Sequence, residues 1–123
     1  MHPFRAAIEA RNAEAAVALL ADDVVFHSPI AFKPDTGRSA AAAVLVAASR
    51  VLDDFAYERE LTSEDGRDHA LIFRARVDGK QIRGCDFLRH DRDGRVVELT
   101  VTARPLTAAL ALRDRMTAEL AQA

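Results

Sequence analysis

The sequence predicts one soluble α+β domain in which helices close one face of a curved antiparallel sheet. Three observations predict it. The apolar period is helical up to about residue 52 and two thereafter, so helices come first and a meander of strands follows. Asp78-Gly79 and Asp91-Arg92-Asp93-Gly94 mark tight turns between those strands. The strands so delimited run to roughly ten residues at ~3.3 Å each, long for a domain, so their sheet must twist and bend. The early helices must then cover its concave side.

Each element has its own signals. Pro3 suits the first position of a helix, where its missing N–H costs nothing, and Phe4, Ala7, Ile8 and Arg11 recur at helical spacing. Asn12 interrupts this helix and caps a second, Ala13 to Leu20, with Glu14 in its first turn. Asp22-Asp23 ends that helix, and Val24 to Ser28 reads as a strand stopped by Pro29. Lys33-Pro34-Asp35-Thr36-Gly37 is loop chemistry. Ser39 caps an alanine-rich helix to about Leu52, whose buried stripe is Val44, Leu45, Ala48 and Leu52.

After Asp53-Asp54 the alternation begins. Phe55, Tyr57 and Leu61 alternate with Ala56, Glu58 and Glu60; Leu71, Phe73, Ala75 and Val77 alternate with Ile72, Arg74 and Arg76. A strand from Gln81 to about Arg89 follows, and then one in which Val97, Leu99, Val101 and Ala103 oppose a polar set. Pro105 ends the sheet, and Thr107 caps a closing helix with Leu110, Met116 and Leu120 available to pack.

Composition narrows the function classes. The chain of 123 residues carries 17 basic and 19 acidic side chains for a net charge of -2, well mixed. Neither a nucleic-acid surface nor an anionic-membrane surface fits that balance, since both need clustered basic residues. No window approaches the ~20 apolar residues of a membrane helix. The single cysteine, Cys85, excludes an internal disulfide and fits a reducing compartment. With no secretory signal at the start, the expected location is cytoplasmic. There are no repeats or linkers, so residues 1–123 form a single expected domain.

The run Leu20-Ala21-Asp22-Asp23-Val24-Val25-Phe26-His27-Ser28-Pro29, then Gly37-Arg38 opening a helix, then the Asp93-Gly94-Arg95-Val96 turn, resembles the nuclear transport factor 2-like superfamily. Within it the likeness is to the SnoaL-like group, related to ketosteroid isomerases and polyketide cyclases. It covers nearly the whole chain, about residues 4 to 105. The resemblance implies a cystatin-like α+β cone with a ligand pocket between helices and sheet, often in a homodimer. It does not imply one activity, because isomerases, cyclases, dehydratases, epoxide hydrolases and plain binders share this fold.

The pocket implied by the resemblance can be lined by alternation. Phe26, Ser28, Phe55, Tyr57, Leu71, Phe73, Asp86, Leu99 and Val101 should point into one cavity. Asp86 is the one carboxylate this places on an apolar face, where desolvation would favour its neutral, hydrogen-bond-donating form. The resemblance also puts Asp86 where ketosteroid isomerases carry the acid of their oxyanion hole, which makes it the candidate catalytic residue. A nearby hydroxyl, Ser28 or Tyr57, could instead hold it as ordinary structure.

The rest of the isomerase pattern is missing. Its base would fall at Ser28 and its oxyanion-hole tyrosine near Phe4, and neither residue type performs those roles. The Arg-x-Asp of limonene-type epoxide hydrolases is absent from Phe73-Arg74-Ala75-Arg76, and Thr100-Val101-Thr102 lacks their second acid; SnoaL-type cyclases also use an acid from the last strands, so their mechanism requires Asp86 to substitute. His27 and Ser28 point to opposite faces, so they form no nucleophile–base pair. Histidines 2, 27, 69 and 90 show no ligand spacing, so no metal and no cofactor are expected. The expected partner is a small apolar molecule. A homodimer would form through the outer sheet face carrying Ile72, Arg74, Arg76, Arg83, Phe87, Glu98, Thr100 and Thr102.

Overall fold

The structure, a computed structural model, describes residues 1–122, and Ala123 of the expected domain lies outside them. Two short helices lead the chain, α1 (Pro3–Glu9) and α2 (Ala13–Ala18). Strands β1 (Leu20–His27) and β2 (Asp35–Thr36) precede helix α3 (Arg38–Val51). The meander β3 (Asp53–Thr62), β4 (Asp68–Val77), β5 (Lys80–His90) and β6 (Val96–Arg104) follows, closed by α4 (Leu106–Ala121).

The fold class is α+β, with a six-stranded, curved, unclosed sheet in the order β2-β1-β6-β5-β4-β3. The expectation of a wholly antiparallel sheet needs one correction. β1 lies parallel to β6, pairing Phe26 with Leu99 and His27 with Thr100. Parallel neighbours need a long connection, and α3 with the meander supplies it.

The local signals behave unevenly. Pro3 opens α1 behind an N-cap from His2, whose Nδ1 accepts from Phe4 N at 3.0 Å, and Asn12 caps α2 through Ala15 N. α2 stops at Ala18, short of Leu20, because Leu20 is already paired with Val96 in β1. Asp22-Asp23 is therefore a bulge inside β1 rather than a helix-ending turn. Five residues of β1 pass, from Leu20 to Val25, while β6 advances only two, from Val96 to Glu98. Arg38 ties this bulge to α3, reaching Leu20 O at 2.7 Å and Asp22 at 2.9 Å. Neither Ser39 nor Thr107 caps its helix, because the N-cap positions are Gly37 and Pro105, each without a side-chain cap bond.

Two more bulges redirect side chains. In β3 the register shifts between Tyr57 and Arg59, so Leu61 turns out, 47% exposed, and Glu60 turns in toward α1. There Glu60 accepts from His2 N at 3.1 Å and pairs with Arg5 at 3.4 Å, fastening α1 to the sheet. Opposite Arg89 and His90 of β5, β6 carries Val97 as an extra residue, which makes Val96, not Val97, the fully buried one. β4 and β5 pair without interruption from Asp68–Arg89 to Val77–Lys80, so their alternation is strict. The Asp78-Gly79 turn between them has both residues at positive φ, 50° and 74°.

The core has two parts on the helix side of the sheet. Phe4, Ala7 and Ala16 of the first two helices pack with Leu20, Leu71, Leu88 and Leu99 at one end. Val51, Val77 and Ile82 pack with Ala108 and Leu112 of α4 at the other. Burying each such Leu or Phe contributes on the order of 2 kcal/mol. In α4 it is Ala108 and Leu112 that face in, while Leu110 is exposed. Gly84 shows how tight the sheet is. A Cβ there would collide with the Thr102 carbonyl and the Phe73 ring.

Candidate functional site

Between the two parts of the core lies a cavity of about 350 Å³. This is at the low end of the roughly 300–1,000 Å³ typical of small-molecule sites. Val44, Leu45 and Ala48 of α3 and Leu52 just after it form one wall. They were expected to be core, and they are only half-buried because the cavity lies against them. Phe55, Tyr57 and Phe73 form the opposite wall, held rigid by ring contacts: Phe55 stacks on Phe73 at 5.0 Å and meets Tyr57 edge-on at 4.9 Å. Met116 and Leu120 of α4 and Pro29, Ile30 and Ala31 after β1 complete the rim.

Phe26, Ser28, Phe55, Tyr57, Phe73, Asp86 and Val101 lie on the wall of this cavity. Leu71 and Leu99 do not. They share the inner face, but both are 0% exposed, sealed beneath the first two helices.

Asp86 is 7% exposed and lies on the same face as Ile82 and Leu88. Tyr57 donates its hydroxyl to Asp86 Oδ2 at 2.5 Å, the short end of the range for O–H···O hydrogen bonds. The other oxygen, Oδ1, has no hydrogen bond within the described residues and is left for the cavity. Desolvation pushes the Asp86 carboxyl up to about 7, with the Tyr57 bond pulling the other way. Burial first, and the charge of Asp86 second, raises Tyr57 far above the ordinary range, so its proton stays on. Ser28 takes no part, because its Oγ accepts from Ile30 N at 3.3 Å and Ala31 N at 3.1 Å in a turn.

One cavity residue is hidden in the sequence. Asp35 sits in what reads as loop, yet it pairs with Phe26 through β2 and so shares the inward face of that strand. Arg11 and Arg113 are the two cations on the lining. His27 lies on the outer side against Glu98 at 3.1 Å, and Cys85 is half-buried with its thiol raised mainly by burial. No described helix is long and apolar enough to cross a membrane.

Residues 2–99 match the family described as the SnoaL-like domain. A steroid delta-isomerase from Pseudomonas aeruginosa is 39% identical, with a TM-score of 0.91, over 95% of this chain and 85% of that one. An uncharacterized protein from Silicibacter pomeroyi, with a cystatin-like fold, is 34% identical at TM-score 0.87, over 96% and 85%. A Mycobacterium tuberculosis protein solved with estradiol-17beta-hemisuccinate is 19% identical at TM-score 0.65, over 86% and 91%, a likeness of fold alone. No curated protein matches the chain in sequence.

Proposed function

The chain belongs to the SnoaL-like domain family, and from that premise we propose that its cavity binds a small, largely apolar molecule by one carbonyl-type oxygen, at Asp86. The observation that carries this reading is a buried carboxyl with one oxygen bonded to Tyr57 and the other facing an apolar cavity. The Tyr57 proton is committed to Oδ2. The donor offered to a ligand is therefore the proton of Asp86 itself, on Oδ1. A carbonyl accepting that proton is oriented in a site where little else is polar. The steroid delta-isomerase and the steroid-holding relative of the same fold support a flat, apolar, steroid-like molecule as the ligand class.

The same donor would stabilise an enolate, which makes proton transfer beside a carbonyl the reaction class of an isomerase, cyclase or dehydratase. Asp86 would be the catalytic acid. Ser28 stands where the resemblance expects the base, so the base must be another residue, and Asp35 is the other carboxylate on the described wall. A single domain of residues 1–123, a homodimer through the outer sheet face and a cytoplasmic location complete the proposal. They are supported by chain length, by Ile72 and Phe87 on that face, and by the lone cysteine.

Tryptophan is absent, so binding of a steroid ketone and its deoxy analogue is best followed by chemical-shift changes of the cavity aromatics. The ketone should bind more tightly below pH 7, and the advantage should fade as pH rises and Asp86 ionises. Equal binding of the two at pH 6 would sink the reading. A β,γ-unsaturated ketosteroid tests the chemistry through the absorbance of its conjugated product. Turnover lost in both Asp86→Asn and Asp35→Asn supports catalysis, whereas tight binding without turnover leaves a non-catalytic binding module.

A further inference from the structure

At the far end of β4 and β5 from the Asp78-Gly79 turn, three histidines converge outside the cavity. We propose that His2, His69 and His90 form a binding site for one divalent transition ion, of which zinc is the best fit. One ring nitrogen from each lies within 4.8 Å of the others, and the ring centroids are 4.5 to 5.0 Å apart. The residues come from three places: His2 caps α1, His69 begins β4, and His90 ends β5 at the β6 bulge.

The hydrogen bonds settle which nitrogens carry the lone pairs. Gly94 O can only accept, so His90 Nδ1, 2.8 Å away, carries the hydrogen and Nε2 keeps its lone pair. Gly66 O can only accept, so His69 Nε2, at 3.0 Å, is the donor, and the Nδ1 lone pair accepts from the Thr62 hydroxyl at 3.1 Å, a bond that an ion would displace. Both rings thus donate one N–H to a backbone carbonyl and hold the other nitrogen as a base. That arrangement orients imidazoles for a metal.

His2 is the remaining ligand. Its Nδ1 accepts from Phe4 N–H, so its hydrogen sits on Nε2 and points at His90 Nε2, 2.8 Å away. An ion would take the place of that shared hydrogen. The proton leaves His2 Nε2 and one is taken up on Nδ1, so the cap to Phe4 N is given up and the ring stays neutral. Four-coordinate zinc at ~2.0–2.1 Å from each nitrogen needs ligands roughly 3.4 Å apart, so the His2 and His90 nitrogens, now 2.8 Å apart, would open slightly while the wider separations, up to 4.8 Å, would close. Three imidazoles with one side open leave a fourth position for water. This donor set suits zinc, and next nickel or copper, rather than calcium or magnesium. His69 and His90 are half-buried at the surface, which gives an ion its entry path.

Such an ion would staple the start of the chain to the sheet, across separations of 67 and 88 residues between His2 and its partners. It should therefore raise the stability of the folded chain by mass action. The test uses tag-free protein stripped with a chelator and titrated with zinc, followed by calorimetry, by thermal midpoint and by the ring resonances of the histidines. Expected are one saturable ion per chain, a higher midpoint, and shifts at His2, His69 and His90 but not at His27. His69→Gln and His90→Gln should each weaken binding by more than the roughly 10–100-fold that loss of an outer-shell partner costs, while His27→Gln leaves it unchanged. The ring resonances of the unaltered protein serve as the check should a variant fold poorly. No saturable uptake, uptake that leaves the three rings unshifted, or uptake indifferent to both substitutions would overturn the proposal.

Discussion

Replacing Asp86 by Asn should stabilise this protein, and by more as the pH rises. Burial holds the Asp86 carboxyl at about 7 in the folded chain, against 3.8 for the same group in water. Between those values the folded state keeps a proton that the unfolded state has released, so stability falls as pH rises. The cost is absent below about pH 3.8, grows through the window, and is complete above pH 7. A gap of about three pH units at roughly 1.4 kcal/mol per unit is about 4 kcal/mol. Because the unfolded group is already mostly ionised near pH 5, the cost is about 2 kcal/mol there and about 4 kcal/mol near pH 8.

Asn keeps the shape, offers Tyr57 an acceptor and never ionises, so none of this cost applies to it. Urea denaturation of both proteins at the two pH values isolates the effect, since every other titrating group cancels in the difference. The advantage of Asp86→Asn should grow by between about 2 and 3 kcal/mol from pH 5 to pH 8, or on the order of 10 °C in thermal midpoint. A difference that is flat with pH would mean that Asp86 titrates as an ordinary surface carboxylate, and the proposed neutral donor would go with it.

Other substitutions probe the same geometry. Tyr57→Phe removes the only described donor to Asp86 and should cost about 1–3 kcal/mol at pH 8, with a smaller loss at pH 5, where the carboxyl is neutral; equal losses at both would contradict the assignment. Asp86→Leu should fold, retain hydrocarbon ligands and lose ketones, as ligand-observed NMR can report. Gly84→Ala should cost more than about 2 kcal/mol, since the Thr102 carbonyl in its path is backbone and cannot step aside; a near-neutral denaturation midpoint would show that β5 and β6 can separate there. Phe87→Glu should convert a dimer mass in light scattering to a monomer mass, because Phe87 is 47% exposed on the outer face; a monomer before substitution removes the dimer proposal.

What the sequence could show follows from how far each feature depends on neighbours along the chain. Alternation on β4 and β5 runs unbroken from Leu71 to Val77 and from Ile82 to Leu88, so a period of two suffices to put Asp86 and Phe73 on one face. The same rule misplaces Leu61 and Val97, because Leu61 lies beyond a bulge and Val97 is the extra residue of one. A bulge adds one residue and leaves no compositional mark. Asp35 is harder still: Pro34 and Gly37 write a loop around it, and only pairing with Phe26 turns its side chain inward. The histidines are illegible by spacing for the same reason. Metal-ligand spacing is visible in a sequence when ligands share one helix or hairpin. Here one ring must come from the cap of α1 and two from strand ends, and the β6 bulge itself helps to set where His90 lies. The lining of the cavity is thus largely a local property, while Asp35 and the histidine cluster exist only once the register of the whole sheet is fixed.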